Sequence, residues 1–463
     1  MTGLTCVAGL GVSGTAVAEV LAARGERVVV VEAVEGERQR AAAAGLAALG
    51  VETRFGAMDL PEGVTRLVTT GWAPHHPLIA AALRAGVEVV GEVELAWRLR
   101  PAGAAPWLAL TGTNGKTTAV RMLTSILLAA GRNALAVGNV GEPVIRAVTR
   151  TGDEAGGERY DALAVELSSF QLHWSGSLAP LAAAVLNVAP DHLDWHGSME
   201  EYAAAKGRIF ERAGTVVYNA DDPEAARLAE PYPEAVGFTL RVPRPGQVGV
   251  VEDLLVDRAF VADPVEAAEE LATLADVRPL APHNVANALA AAALARAAGV
   301  PASAVGQGLR DFTPDPHRLQ HVARLGEVDY VDDSKATNPH AAAAALSAYP
   351  SIVWIAGGQL KGADVDELVR RAAPRLRGAV LLGADRGVIA EALARHAPDV
   401  PVVDISAQDT GAMDEVVTEA ARLARPGDTV LLSPAGASLD MFAGYPARGE
   451  AFARAVRGLK AAT

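Results

Sequence analysis

Short β-branched runs alternate with helix-length segments along almost the whole chain. Apolar runs bounded by turn residues fall at 4–8, 28–32, 66–70 and 87–90. Each has the length of a buried strand rather than of a helix. Segments 15–24 and 77–85 have helical character. This alternation predicts a parallel sheet with helices packed on it. Two prolines and a glycine within 100–106 read as a linker. The pattern restarts with a strand at 107–110, a glycine-rich turn and a helix over about 116–130. Strands follow at 162–166 and 183–187, a polar glycine-rich loop at 151–158, short extra strands within 241–260, and an alanine-rich helix at 284–298. Residues 311–316, with two prolines and two aspartates, form a second linker. Beyond it the alternation returns, with strands at 329–331, 352–356, 379–382, 402–405 and 429–432. The alanine runs at 41–44 and 341–345 suit helix surfaces. No tandem repeat of 20–50 residues occurs. The expected fold is α/β in three units: 1–102, 103–313 and 314–463.

The length of 463 residues fits about three domains. Half the residues are hydrophobic and 21% are charged, which places the chain among packed globular proteins. A formal net charge of −14 argues against a general binder of nucleic acid or anionic membranes, while leaving room for a locally basic site. Cys6 is the single cysteine, which excludes an intrachain disulfide and a cysteine-based zinc site. The first residues lack the features of a signal peptide, and no run approaches ~20 apolar residues, so a cytoplasmic protein without membrane insertion is expected. Lys116, Lys206, Lys335, Lys361 and Lys460 are the only lysines; every other basic residue is arginine. Coding bias explains the arginine background. The remaining lysines stand out because arginine cannot replace a compact or nucleophilic amine.

Gly9-Leu10-Gly11-Val12-Ser13-Gly14 follows a strand and precedes a helix, and Glu32 ends the next strand. Such a turn brings a phosphate to backbone N–H groups at a helix N-terminus. Its geometry alone fits NAD, another nucleotide, or a structural turn. Thr111-Gly112-Thr113-Asn114-Gly115-Lys116-Thr117-Thr118 is more specific. A glycine-rich loop between strand and helix cradles phosphates, Lys116 neutralises β/γ charge, and Thr117 can reach Mg²⁺. The loop departs from the usual spacing, with Leu110 where the first glycine would stand. Glu166 ends a strand ahead of Leu167-Ser168-Ser169-Phe170-Gln171 and is a candidate Mg²⁺ ligand; a solvated or salt-bridged Glu is the plain alternative. Asp191-His192-Leu193-Asp194-Trp195-His196 packs two His and two Asp into six residues. It reads as a second metal or phosphate site, or as a helix-capping turn with incidental histidines. Lys206 follows on an alanine-rich helix. As a neutral amine it could take up CO₂ and become an anionic carbamate ligand, where an ordinary surface cation is the alternative.

Taken together, these segments resemble the Mur ligases. His283-Asn284-Val285-Ala286-Asn287, His317-Arg318, Asp333-Ser334-Lys335-Ala336-Thr337-Asn338 and the run Ser433–Asp440 continue the likeness over essentially the whole chain. Within the family, the last two segments and Glu166–Leu172 point to the member that adds D-glutamate to UDP-N-acetylmuramoyl-L-alanine. The resemblance implies an N-terminal Rossmann-like domain for the UDP-sugar, a central P-loop-type mononucleotide-binding sheet with extra strands for ATP and two Mg²⁺, and a C-terminal Rossmann-like domain for the amino acid. It implies ATP-dependent amide formation through an acyl phosphate, in peptidoglycan precursor synthesis, by a monomer. Lys116, Glu166, His192 and Lys206 are then catalytic. Gly112, Thr113, Asn114, Gly115, Lys116, Thr117, Thr118, Asn139, Asn287, Arg318 and Asp333 hold ATP. Gly11, Val12, Ser13 and Glu32 hold the UDP-sugar, while Thr337, Lys361, Ser438, Leu439 and Tyr445, beside Lys335, hold D-glutamate. The metal ligands are Thr117, Glu166, His192 and Lys206 as its carbamate. Thr69-Thr70-Gly71-Trp72 replaces the Ser-Pro-Gly of many members, Gly436 stands where Cys is common, and Gln359 where Asp is frequent. Competing readings are a diaminopimelate-adding ligase, whose Asp-Asn-Pro-Arg signature is absent, a folylpolyglutamate synthase, an NAD-dependent oxidoreductase and a non-catalytic nucleotide binder.

Overall fold

Three sheets, mostly parallel, carry the elements of this computed structural model, which describes residues 3–56, 59–150, 159–407 and 410–462. The expected loop at 151–158 lies outside the described residues. The first sheet has five parallel strands in the spatial order Glu52–Phe55, Arg27–Glu32, Leu4–Ala8, Val64–Thr69, Glu88–Gly91. Its central strands are nearly continuous apolar runs because helices cover both faces. Gly14 is required here: a Cβ on it would lie 2.0 Å from the Gly9 carbonyl oxygen, where the helix Val12–Ala23 crosses the turn.

The second sheet has nine strands. From one edge, Ala134–Gly138, Ala162–Glu166, Trp107–Thr111, Ala182–Val185, Thr215–Asn219, Val236–Phe238 and Gln247–Val251 run parallel; Leu254–Asp257 and Glu269–Thr273 close the other edge antiparallel. The helix Pro282–Ala297 buries an unbroken run from Ala288 to Ala295. The third sheet has the order Gln320–Leu325, Val328–Asp332, Thr429–Ala435, Ile352–Gly357, Leu376–Leu382, Val402–Asp404, with only the first pair antiparallel.

Every strand expected from the apolar runs is present, with ends shifted by up to three residues. Strands Glu52–Phe55, Ala134–Gly138, Thr215–Asn219, Glu269–Thr273 and Gln320–Leu325 were not legible in the pattern. Glu52–Phe55, Ala134–Gly138, Glu269–Thr273 and Gln320–Leu325 are edge strands of polar or alanine-rich sequence, where pairing rather than propensity makes the strand, whereas Thr215–Asn219, like the unexpected Val236–Phe238, lies inside the second sheet.

The chain divides into two compact units: Met1–Asp276 with Ala286–Phe312, and Val277–Val285 with Thr313–Thr463. The first unit holds the first two sheets. They are joined by buried carboxylates of the helix Glu92–Leu99: Glu92 Oε1 accepts the Ile145 N–H at 2.8 Å, and Glu94 accepts the Gly176 and Ser177 N–H groups at 2.9 and 3.0 Å. The short segment Val277–Val285 belongs to the second unit, where Ala281 joins the core of the third sheet. No helix among the described residues is long and apolar enough to cross a membrane.

Candidate functional site

The carboxyl ends of four adjacent parallel strands in the second sheet carry the residues singled out by the sequence. These are Gly138-Asn139 after Ala134–Gly138, Glu166 ending Ala162–Glu166, the loop 111–118 after Trp107–Thr111, and Asn187–His192 after Ala182–Val185. Ligands of open α/β sheets bind at this end of the strands.

The loop 111–118 is braced from the protein side. Asn114 N–H donates to Asn187 Oδ1 at 2.9 Å and Asn187 Nδ2 returns a bond to the Asn114 carbonyl at 3.1 Å. Thr113 N–H donates to the Asn187 carbonyl, also at 2.9 Å. Gly115 has φ +83°, and a Cβ there would fall 2.3 Å from Asn287 Oδ1, so Asn287 closes directly over the turn. Thr117 and Thr118 lie in the first turn of the helix Lys116–Ala129. Lys116 Nζ curls back to donate to the Gly112 and Thr113 carbonyls, both at 2.8 Å.

Lys206 is almost completely buried, at 1% exposure, which overturns the surface-cation reading. Its Nζ donates at 2.9 Å to the Gly112 carbonyl, the oxygen that Lys116 also holds. Burial first, and then Lys116, push its pKa well below the usual lysine value, with Asp191 opposing. Burial therefore shifts the balance towards the neutral amine. Tyr202, one turn earlier on the helix Met199–Gly207, lies under the amine, 4.5 Å from Nζ to ring centre, and its hydroxyl shares a 3.0 Å bond with Thr113 Oγ1.

Glu166 is 1% exposed. Asn139 Nδ2 donates to its Oε1 at 2.9 Å, while Oε2 is buried without a hydrogen-bond partner. A buried carboxylate oxygen left bare is costly, and a cation arriving there would remove the cost. No group of three or more His, Cys, Asp or Glu that could hold a metal occurs among the described residues. His192 has left-handed backbone, φ +53°, and its half-exposed ring sits 4.8 Å from the Phe170 ring. It is the N-cap residue of the short helix Leu193–His196 without a side-chain cap bond, and its N–H donates to Asp191 Oδ1 at 3.0 Å. His196 donates or accepts at 2.9 Å with Ser169 Oγ; burial, His173 and Lys206 bring its pKa down to about 4.

In the first sheet, Gly11, Val12 and Ser13 open the helix Val12–Ala23. Glu32 turns inward: Oε2 accepts the Leu10 N–H at 2.7 Å and Oε1 the Val34 N–H at 3.0 Å. It shapes the turn, and one of the turn's own N–H donors is spent on it.

Within the second unit, Asp333 is buried. Its Oδ1 accepts the Leu319 N–H at 3.2 Å and Oδ2 the Ser433 hydroxyl at 3.0 Å. Burial raises its pKa to about 7. Arg318 pairs with Asp315 at 3.6 Å. Lys335 Nζ lies 5.1 Å from the centre of the Tyr445 ring, Lys361 has φ +54°, Ser438 is buried and Leu439 exposed. Thr337 closes a backbone bond to the Lys335 carbonyl at 2.9 Å. Gln359 pairs with Ala437 through two backbone bonds of 2.8 Å, and a Cβ on Gly436 would lie 2.9 Å from the Gly357 carbonyl oxygen.

Sequence reasoning passed over three residues. Asn187 and Tyr202 lay inside or beside quoted segments, and Tyr202 at four residues before Lys206 had a helical spacing that could have marked it. Arg448 had no local signal. It is buried, donates from Nε to Ser334 Oγ and from Nη1 to the Gly436 carbonyl, both at 3.0 Å, and from Nη2 to the Ser334 carbonyl at 2.8 Å. It thereby ties two loops of the second unit together.

Comparison with known proteins gives a consistent picture. The Mur ligase middle domain matches residues 110–295, and the Mur ligase glutamate ligase domain matches residues 317–436. The chain is 62% identical to the UDP-N-acetylmuramoylalanine–D-glutamate ligase of Thermobifida fusca, covering 98% of each chain. It is 46% identical to the ligase of that name from Mycolicibacterium smegmatis, covering 97% of this chain and 96% of the relative. Among solved structures, the UDP-N-acetylmuramate-alanine ligase of Thermotoga maritima shares the fold over the whole of both chains, with a TM-score of 0.57 at 18% identity.

Proposed function

The chain belongs to the Mur ligase family, and from that premise we propose that it joins D-glutamate to UDP-N-acetylmuramoyl-L-alanine at the expense of ATP. The observation that carries this reading is the convergence at one sheet end of a phosphate loop, two lysines on a single carbonyl oxygen, and a buried carboxylate with one bare oxygen. In the proposed reaction the L-alanyl carboxylate takes the γ-phosphoryl group and releases ADP. The D-glutamate amine then attacks the acyl carbon, phosphate leaves and the nitrogen loses a proton. Mg²⁺, when bound, supplies charge neutralisation between carboxylate and γ-phosphate.

The chain's own residues do the rest. The loop 111–118 offers backbone N–H groups, and the Lys116 amine beside it is the proposed cation for phosphate oxygens. Thr117, Glu166 and His192 are the proposed holders of two Mg²⁺, with Lys206. A neutral buried amine can add CO₂ and lose a proton, becoming a carbamate whose single negative charge is shared by two oxygens. Asn139 orients Glu166. Asn287, Arg318 and Asp333 are proposed nucleotide contacts, with Asp333 placing the Arg318 segment through Leu319. Gly11, Val12 and Ser13 are proposed contacts of the UDP-sugar, with Glu32 shaping their turn. Thr337, Lys361, Ser438, Leu439 and Tyr445 are proposed for D-glutamate, where two carboxylates need a cation and hydroxyl donors. Three domains, 1–102, 103–313 and 314–463, and a cytoplasmic monomer complete the proposal. ADP release from purified protein with ATP, Mg²⁺, UDP-N-acetylmuramoyl-L-alanine and a panel of amino acids tests it. D-glutamate is expected to give the highest rate; equal or better use of L-glutamate, or no dependence on the nucleotide sugar, would overturn it.

A further inference from the structure

The loop Thr69–Trp72 is held by two tryptophans of the second sheet's segments. Trp195 Nε1 donates to the Gly71 carbonyl at 3.0 Å, and Trp174 Nε1 donates to the next carbonyl, Trp72, at 3.1 Å. The geometry is built for this. Gly71 has φ +109°, and a Cβ on it would be 3.6 Å from Phe170 Cβ, so the loop lies against the Phe170 side chain in a conformation that favours glycine. The Gly91 N–H donates to the Trp174 carbonyl at 3.1 Å, fixing that tryptophan from its other end. Trp195 is packed edge-on against His173 and tilted against Phe170, with ring centres 5.1 and 4.9 Å apart.

Both ends of this contact reach proposed substrate sites. On one side, Thr70 Oγ1 donates to the Ala8 carbonyl at 3.1 Å, and the Trp72 indole lies 3.6 Å from where a Gly9 Cβ would be, against the first glycine-rich turn. On the other, Trp195 stands three residues after His192 in the single-turn helix Leu193–His196, and Trp174 follows the helix Ser169–His173 that begins three residues beyond Glu166. We propose that Trp174 and Trp195 are positioning residues for the nucleotide sugar: their indole N–H groups hold the Gly71–Trp72 loop, so that a nucleotide sugar seated on the first glycine-rich turn reaches Glu166 and His192 at a fixed offset. This rests on the ligase reading. A fixed offset matters because the reacting atoms must come within about 3–3.5 Å, and each ångström lost in positioning is expensive.

Trp174→Phe and Trp195→Phe keep an aromatic ring and delete one N–H donor each. Each single variant is expected to raise the KM for UDP-N-acetylmuramoyl-L-alanine about fivefold, and the double variant more than tenfold, the range of one and two neutral hydrogen bonds. The KM values for ATP and D-glutamate are expected to stay within about twofold. A purely structural role would move all three together, or none. An unchanged nucleotide-sugar KM, or a parallel rise in all three, would overturn the proposal. Amide hydrogen exchange at residues 69–73 of the ligand-free protein is a second reading that needs no turnover. Exchange about tenfold faster in the double variant supports the clamp, and unchanged exchange overturns it. Should the wild-type chain release no ADP with this nucleotide sugar, the ligase reading falls, and the exchange measurement still decides the clamp. If the double variant does not fold, the single variants carry the same test.

Discussion

At Lys206 a primary amine is held where water does not reach it, sharing one carbonyl oxygen with a second lysine. Arginine would keep a permanent charge there and could form no carbamate. Lys206→Arg is therefore expected to lose activity by at least a hundredfold. Lys206→Ala is expected to be equally inactive but partly rescued by millimolar formate or acetate, whose carboxylate can occupy the vacated space; steady-state rates with and without the additive check both. Near-normal turnover in Lys206→Arg would reduce the lysine to a cation. Lys361 poses the complementary case: an exposed ammonium on a left-handed backbone position, in the loop after strand Ile352–Gly357. Lys361→Ala is expected to raise the KM for D-glutamate about tenfold while the KM values for ATP and nucleotide sugar change less than twofold.

The element that most depends on a single backbone conformation is the turn ahead of the helix Lys116–Ala129. Gly115 carries φ +83° and leaves no room beside Asn287. Gly115→Ala meets both a strained dihedral, about 1–2 kcal/mol, and an overlap with the Asn287 amide. The expected outcome is a loss of about 1–2 kcal/mol in denaturant unfolding and at least a tenfold weaker ATP affinity by calorimetric titration. ATP affinity equal to wild type would mean that the turn can open without its glycine. Two edge strands of the other sheets show the reverse dependence: Glu52–Phe55 and Gln320–Leu325 are polar and would not persist alone, so they follow from the pairing of their neighbours.

Across the first unit, the two sheets meet through helix Glu92–Leu99, and here stability is tied to pH. Glu92 is buried; one oxygen takes backbone N–H bonds and the other has no partner, and burial raises its pKa to about 7. The folded state then binds more protons than the unfolded state between the ordinary carboxylate range and pH 7. Stability from this group is fully present below about 4.5 and lost as pH rises through 7, a span worth about 3 kcal/mol. Buried Asp333, raised to about 7, slopes the same way. His196 and His283, each lowered to about 4, give the opposite slope between 6.5 and 4. Glu92→Gln removes one titration and keeps the carbonyl that accepts the Ile145 N–H. Relative to wild type it is expected to gain 1–3 kcal/mol of stability between pH 5 and pH 8, read from urea unfolding at the two values. Equal pH dependence in both proteins would place the ionised Glu92 carboxylate in contact with water.

Sequence alone determined the α/β class, most buried strands, the phosphate loop, and the candidate residues Glu166, His192 and Lys206, because strand runs and glycine-rich turns are local: backbone sterics and hydrophobic periodicity act over a few residues. It left open whether Lys206 was a solvated cation, which backbone groups Glu32 bonds, and which partners Asn187, Tyr202 and Arg448 meet. Only the tertiary structure decided these. The Gly112 carbonyl that receives Lys206 is 94 residues away along the chain, and the Ser334 that receives Arg448 is 114 residues away. Burial, and the shift in protonation that burial causes, belong to the packed arrangement of distant segments, and no short window of sequence carries them.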